Sequence, residues 1–379
     1  MSINILQINK LYHPWIGGVE NHVQALAENL LDYEEINVEV VVSNENSRLK
    51  QETINGVKVT KLPNFIYSLF KKPLLFSMPI SLSLPKFLRK KVDILHFHLP
   101  NPWGVLSYFM ARPKGKVIIT WHSDIIKQKF FLFFYKPFLK MFLKKASLII
   151  VTSPNMIVHS KYLKGFANKC QVVPLGIDTN KLELTSSLKE EISQIKSKQD
   201  KKNLLFVGRL VYYKGVEYLV KAMTTVDANL TIIGEGNLKK DLESMIEKNN
   251  LQDKIKIIPP VSDKELVRQY HLCDIFVLPS IAITEAFGIV QLEAMVCGKP
   301  VISTNLPTGV PFVNQDGKTG LVVEPKDFKS LAAAINKLLK DDIFSKDLGN
   351  YAQKRVKNEF TNKAVASKIV NIYKNILND

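Results

Sequence analysis

Two glutamates, Glu285 and Glu293, stand with seven residues between them within Thr284–Thr304, TEAFGIVQLEAMVCGKPVIST. The stretch predicts a loop, then a helix from about Gly288 to Cys297, then Gly298 just past its end, then a strand at Val301–Ile302. A helix N-terminus offers unpaired N–H groups and a partial positive charge, so the backbone at Gly288, Ile289 and Val290 would welcome an anion. Carboxylates on either side suit a ligand that carries both phosphates and hydroxyls. A buried helix with two incidental acids would leave the same pattern, so the reading needs partners elsewhere. Arg209 and Lys214 are candidates: Gly208–Arg209–Leu210 ends a strand-like run, and Lys214–Gly215 follows. A diphosphate needs such cations, because its charge is costly to bring unpaired into a site. The plainer alternative is a solvated loop with two basic residues.

Other candidate motifs are weaker. Gly234–Glu235–Gly236 begins like G-x-G-x-x-G, but Lys239 occupies the third glycine position, so it reads as a tight turn and not as a dinucleotide fingerprint. Asp316–Gly317–Lys318–Thr319 ends like a phosphate loop, yet Phe312 stands where that loop needs its first glycine. His96, His98 and His122 fall at the ends of apolar runs. His122, in TWHSD, is placed to bind a sugar hydroxyl or an acceptor, and a hydrogen-bonded structural histidine is the alternative. As a zinc trio these three lack a helical H-E-x-x-H and any nearby cysteine. No D-x-D occurs, so a carboxylate-held metal on a nucleotide diphosphate is unsupported. The expectation is a site without metal or other cofactor.

The elements that must position these residues alternate along the chain. Residues 3–9 read as a buried strand, Gly17–Gly18 as a loop, and 20–30 as a helix, which is the entry to a Rossmann-like unit. Further β-rich runs are 37–43, 57–61, 93–98, 116–122 and 147–153. Near-continuous Val/Ile runs separated by helical patterns indicate parallel sheets buried on both faces. Residues 171–178, QVVPLGID, look like a boundary, and 186–202 form a polar, charged stretch. A second alternation follows, with runs at 203–208, 229–234, 254–259, 274–279, 300–304 and 320–324, before helices at about 327–340, 344–358 and 362–377. The expected fold class is α/β, with two Rossmann-like domains facing each other across a cleft, where ligands bind beyond the strand C-termini.

The bulk numbers agree with a globular protein of two domains: 379 residues, 46% hydrophobic and 23% charged. Three scattered cysteines, Cys170, Cys273 and Cys297, suggest a reducing, cytoplasmic compartment. No signal peptide is apparent, and the most apolar run, 73–84, is interrupted by two prolines. The net charge of +17 is uneven: up to Leu175 there are 23 lysines and arginines against 10 acids. Such a half suits nucleic acid or anionic lipid. The segment 127–145, KQKFFLFFYKPFLKMFLKK, holds six lysines and no acid. Lys136, Lys140 and Lys144 share one helical face, and Phe130, Phe131, Phe133, Phe134, Phe138 and Phe142 supply apolar surface. That combination fits a helix lying on an anionic membrane, with Lys136, Lys140, Lys144, Phe130, Phe134 and Phe138 as its contacts. Packing of this helix on its own sheet is the alternative.

GGVE (17–20), the strand-end His122, PLGID (174–178), GRL…KG (208–215), IIGEG (232–236) and the paired glutamates occur in one order. Together this ordered set resembles the retaining nucleotide-sugar glycosyltransferases of family 4, which have the GT-B fold, over about residues 3–340. The resemblance implies an N-terminal acceptor domain over 1–175 completed by a C-terminal helix over 362–379, and a donor domain over 176–361. It implies that Arg209 and Lys214 bind the donor diphosphate, that the backbone at Ile289 and Val290 caps its distal phosphate, and that Glu293 holds the ribose. Glu285 would contact the transferred sugar, Gly17 and Gly18 would let a loop approach the donor, and His122 would lie near sugar and acceptor. Gly234, Phe287 and Gly288 complete the implied donor-binding set. Catalysis would fall to Glu285, His122, Arg209 and Lys214. The expected activity is transfer of a mannosyl or glucosyl group from a GDP- or UDP-sugar to a lipid-linked or polysaccharide acceptor. It would take place at the inner face of the cell membrane, to which the protein would attach peripherally. A soluble synthase of the same family is the first alternative. A nucleic-acid-binding protein is the second, and it leaves Arg209, Lys214, Glu285 and Glu293 without a purpose.

Overall fold

A computed structural model describes residues 2–15, 17–66, 79–124 and 129–378, the side chains of 129–132 excepted. The chain forms two compact units: Met1–Gly176 together with Asn362–Asp379, and Ile177–Thr361.

Unit 1 is built on eight strands: β1 (Ile3–Ile8), β2 (Ile36–Ser43), β3 (Lys50–Ile54), β4 (Val57–Leu62), β5 (Ile94–Leu99), β6 (Lys116–Trp121), β7 (Leu148–Val151) and β8 (Cys170–Val172). Their order is β3-β4-β2-β1-β5-β6-β7-β8. All pairings are parallel except the hairpin of β3 with β4, which turns through Asn55–Gly56, both at positive φ. β5 is buried along its whole length and β6 along all but its first residue, which accounts for the apolar residues that predominate in both. One face carries a core that includes Leu95, Phe97, Trp121 and Phe142. The other is covered by the helices Gly18–Leu30 and Asn362–Asn378, which contribute Val23, Leu26 and Leu30, and Ile369, Tyr373 and Ile376.

Unit 2 repeats the plan with β9 (Asn203–Val207), β10 (Asn229–Ile233), β11 (Ile255–Ile258), β12 (Ile275–Leu278), β13 (Val301–Thr304) and β14 (Gly320–Val323). Its order, β11-β10-β9-β12-β13-β14, is the doubly wound Rossmann arrangement. Counted within each unit, the order reverses at β1/β5 and at β9/β12. Loops leaving these strands diverge to opposite faces, and the crevice between them is where such sheets hold ligands.

The α/β class and both strand series therefore match the expectation, with two additions. β3, sequence KQETI, is too polar to signal a strand: it lies at the sheet edge with all of its residues exposed or half-buried. The polar stretch 186–202 contains a helix, Ser186–Ser197, capped by Thr185, whose Oγ1 accepts the Leu188 N–H at 3.3 Å. Leu188 and Ile192, one turn apart, bury this helix against Val267 and Leu272.

Candidate functional site

In unit 2, β9 ends at Val207, and the next residues place Arg209 and Lys214 beyond the sheet. Gly234, at the end of β10, lets two strand ends close on each other: a Cβ there would lie 1.9 Å from the Gly208 carbonyl oxygen. A short helical turn, Tyr212–Lys214, then aims Lys214 inward, and its side chain is 10% exposed.

Lys214 Nζ meets Glu285 Oε2 at 2.5 Å, and Ser280 Oγ donates to the same oxygen at 3.1 Å. Glu285 is buried to the same degree as Lys214. The two candidate residues thus form one buried ion pair, so neither stands as an isolated charge. Arg209 is exposed and is held from one side: its guanidinium donates to the Tyr213 hydroxyl at 2.7 Å and lies 5.8 Å from the ring centroid. Lys214 Nζ lies 5.7 Å from the same centroid. Tyr213 therefore gathers both cations about one ring. The Tyr213 carbonyl accepts the Ile281 N–H at 2.9 Å and so ties this loop to the one after β12.

The helix over the second glutamate runs Ile289–Val296. Gly288 caps its start at φ 72 and ψ 59, left-handed backbone that favours glycine, and a Cβ there would lie 2.6 Å from Leu278 Cδ2. The N–H groups of Ile289 and Val290, in the first turn, have no acceptor within the helix, which leaves them open to an anion. Glu293 is half-buried, and burial pushes its carboxyl upward, against a bond from the Tyr270 hydroxyl that opposes the shift. That hydroxyl donates to Glu293 Oε2 at 2.6 Å, which commits one carboxylate oxygen and fixes the direction of the other. Phe287 is 3% exposed with its ring against Phe360, so any ligand contact runs through its backbone.

In unit 1 the switch-point strands carry histidines. His96 and His98 project from β5, and His122 follows β6. His96 is fully engaged: Nδ1 pairs with the Tyr373 hydroxyl at 2.7 Å and Nε2 with Thr120 Oγ1 at 2.7 Å. It stacks on His98, with centroids 4.6 Å apart. His98 Nδ1 lies 3.1 Å from His122 Nε2. His22, on the helix Gly18–Leu30, completes the group, 5.2 Å from His122 between ring centroids. Burial pushes all four below the ordinary histidine range, His22 to about 4 and His96 to about 3, so each ring is neutral at pH 7. Gly18 is exposed, and a Cβ on Gly17 would meet Glu20 Oε2 at 2.3 Å.

The helix Lys129–Lys145 divides its surface into stripes. Tyr135, Leu139, Phe142 and Leu143 are buried in the unit 1 core. Phe142 is therefore a core residue, and the expected apolar outer surface loses it. Phe134, Phe138 and Met141, at i, i+4 and i+7, form an exposed stripe, with Phe133 at 76% exposure beside it. Lys136, Lys140 and Lys144 are exposed along another face. The expected contacts of Phe130 and Phe131 lie outside the described side chains. Among the described residues no helix is long and apolar enough to cross a membrane.

Sequence reasoning missed Tyr213, Tyr270, Ser280 and His22. A tyrosine directly before Lys214 is a usable signal for the first. The others come together only through the fold.

Comparison with known proteins agrees with this division. Residues 16–181 match the family described as Glycosyltransferase Family 4, and residues 188–355 match Glycosyl transferases group 1. The O-antigen chain mannosyltransferase C of Escherichia coli is 30% identical over 304 residues, covering 79% of this chain and 81% of that one. The D-rhamnosyltransferase WbpZ of Pseudomonas aeruginosa is 31% identical over 290 residues, covering 76% and 75%. Among solved structures, sucrose-phosphate synthase from Thermosynechococcus elongatus has a TM-score of 0.76 at 22% identity and 99% coverage of both chains. Anabaena HepE in complex with UDP-glucose has a TM-score of 0.75 at 19% identity, covering 98% of this chain and 100% of that one.

Proposed function

The chain belongs to the family 4 glycosyltransferases of GT-B fold, and from that premise we propose that it moves a mannosyl or glucosyl group, with retention of configuration, from a GDP- or UDP-sugar to a lipid-linked or polysaccharide acceptor. The observation that carries this reading is the cluster of Arg209 and Lys214 on Tyr213, beside the Glu285 carboxylate. The names of the two bacterial relatives support a polysaccharide product, and HepE bound to UDP-glucose supports a nucleotide-sugar donor.

The reaction breaks the bond between the anomeric carbon and the diphosphate oxygen, and the electron pair leaves with the diphosphate. Arg209, Lys214 and the N–H groups of Ile289 and Val290 receive the growing charge. A single preorganised donor of this kind is worth about 3–4 kcal/mol. With no D-x-D in the chain, these groups meet the phosphate charge in place of a carboxylate-held metal. Glu293, with one oxygen tied by Tyr270, turns the other toward the ribose hydroxyls. Glu285, anchored by Lys214 and Ser280, contacts the transferred sugar. His122, neutral at pH 7, can accept or donate a hydrogen bond and is assigned to the sugar and acceptor. The acceptor oxygen bonds to the anomeric carbon on the face the diphosphate leaves, and its proton passes to a departing phosphate oxygen.

The exposed stripe of Phe134, Phe138 and Met141 with Lys136, Lys140 and Lys144 would hold the enzyme peripherally on the anionic cytosolic face of the membrane. The test takes the full chain through a panel of nucleotide sugars. The donor should raise the melting temperature and support transfer. Arg209→Ala should lower turnover about 100- to 1,000-fold with the fold intact, and undiminished turnover would remove the assigned site. Flotation with anionic vesicles at low salt tests the membrane part alone: a protein that stays unbound but still transfers is a soluble synthase.

A further inference from the structure

We propose that His22, His98 and His122 form a binding site for one divalent transition-metal ion of the zinc class, built entirely from unit 1. One nitrogen from each ring falls within 4.8 Å of the other two. His98 Nδ1 and His122 Nε2 are 3.1 Å apart. Two nitrogens bound to zinc at 2.0–2.1 Å with a tetrahedral angle would be roughly 3.3 Å apart, so this pair already has nearly the required spacing. The His22 ring closes the group edge-on, its centroid 5.8 Å from that of His98 and 5.2 Å from that of His122.

A second observation points to a ligand. Nε2 of His22 and Nε2 of His98 are both buried without a hydrogen-bond partner. A buried ring nitrogen normally has one; the His22 nitrogen is the one left to serve as third ligand, because His98 would bind the ion through Nδ1 and turn its Nε2 away. His96 is not a ligand, because Tyr373 and Thr120 occupy both of its nitrogens. It stacks on His98 and so fixes the plane of that ring, the supporting role that surrounding residues play in metal sites.

The chemistry balances without an external proton acceptor. The hydrogen bond between His98 and His122 holds one proton between two neutral rings. When the ion takes both lone pairs, that proton moves to the far nitrogen of its own ring, and none is released. The charged group acting on His122 is Lys10, which opposes a cation, and Glu20 lies close enough to Lys10 to offset part of that charge. Three protein ligands leave a fourth position for water or a small anion. An ion held there would withdraw His122 from the role assigned above, but binding itself does not depend on that role.

The test uses full-length protein stripped with chelator and titrated with Co²⁺, followed by visible absorption and then by displacement with Zn²⁺. The expected result is a tetrahedral Co²⁺ spectrum that saturates at one ion per chain. His22→Asn and His98→Gln should each weaken the apparent affinity at least about tenfold, and the exposed His159→Gln should leave it unchanged. Metal-free melting temperatures report whether each variant folds. If His98→Gln fails to fold, His22→Asn decides, since His22 lies on a surface helix and is only partly buried. No spectrum at one equivalent, or a spectrum unchanged in His22→Asn, would overturn the site.

Discussion

The strand ends of the two units share a topology and differ in electrostatics. At β1/β5, unit 1 gathers four histidines that burial holds neutral. At β9/β12, unit 2 gathers a buried Lys–Glu pair and an exposed arginine around one tyrosine. A doubly wound sheet thus presents loops at a fixed place, and residue type alone decides whether that place handles charge or neutral hydrogen bonds. Unit 2 suits a diphosphate. Unit 1 suits hydroxyls, or an ion that wants uncharged nitrogen.

The largest expected effect breaks the charged half of this contrast. Lys214→Ala leaves Glu285 buried without its partner, so it should destabilise unit 2 by about 3–5 kcal/mol besides abolishing transfer. Adding Glu285→Ala should restore much of the stability and none of the activity, as urea unfolding of the single and double variants will show. If the double variant is less stable than Lys214→Ala, the pair is not the unit described here.

Acidification probes the neutral half. Histidines with depressed folded pKa bind protons more readily when unfolded, so their stability is intact above about pH 6.5 and is lost as pH falls. Between about pH 6.5 and pH 4 the loss should reach about 1.4 kcal/mol per pH unit for each ring that charges on unfolding. All three tryptophans, Trp15, Trp103 and Trp121, belong to unit 1, so their fluorescence follows that unit. A flat midpoint between pH 7 and pH 5 would mean that the rings are not buried as described. The smallest effect refines the charged half: Tyr213→Phe keeps the ring beside both cations but removes the bond to Arg209. Turnover should fall about fivefold to tenfold, the worth of one hydrogen bond of about 1 kcal/mol, with nucleotide affinity as the companion measurement.

The fold was largely legible because buried parallel strands have only one composition available to them. β7 (LIIV) and β12 (IFVL) are continuous apolar runs for that reason. β3 was not, since an edge strand carries no such requirement. The helix Ser186–Ser197 left a signal, Leu188 and Ile192 four residues apart, diluted by its charged neighbours. In the site, residue types were visible and partnerships were not. Nothing local says that Lys214 faces Glu285, that Tyr270 reaches Glu293, or that His22 joins histidines from two distant strands. The Phe-rich segment shows the same limit: composition marks it as amphipathic, and only packing assigns Phe142 to the core and Phe138 to the surface.

The helix Asn362–Asn378 has a consequence for how the protein is made. It completes the unit 1 core beside Val23, Leu26 and Leu30, and it supplies the Tyr373 hydroxyl that holds His96. During synthesis the first 176 residues therefore leave the ribosome without their last structural element, and they wait for all of unit 2 to be translated. An apolar helix face stays uncovered for that interval. A fragment ending at Gly176 would keep it uncovered permanently, so the N-terminal half cannot be studied by truncation unless the closing helix is supplied as a peptide or spliced on behind it.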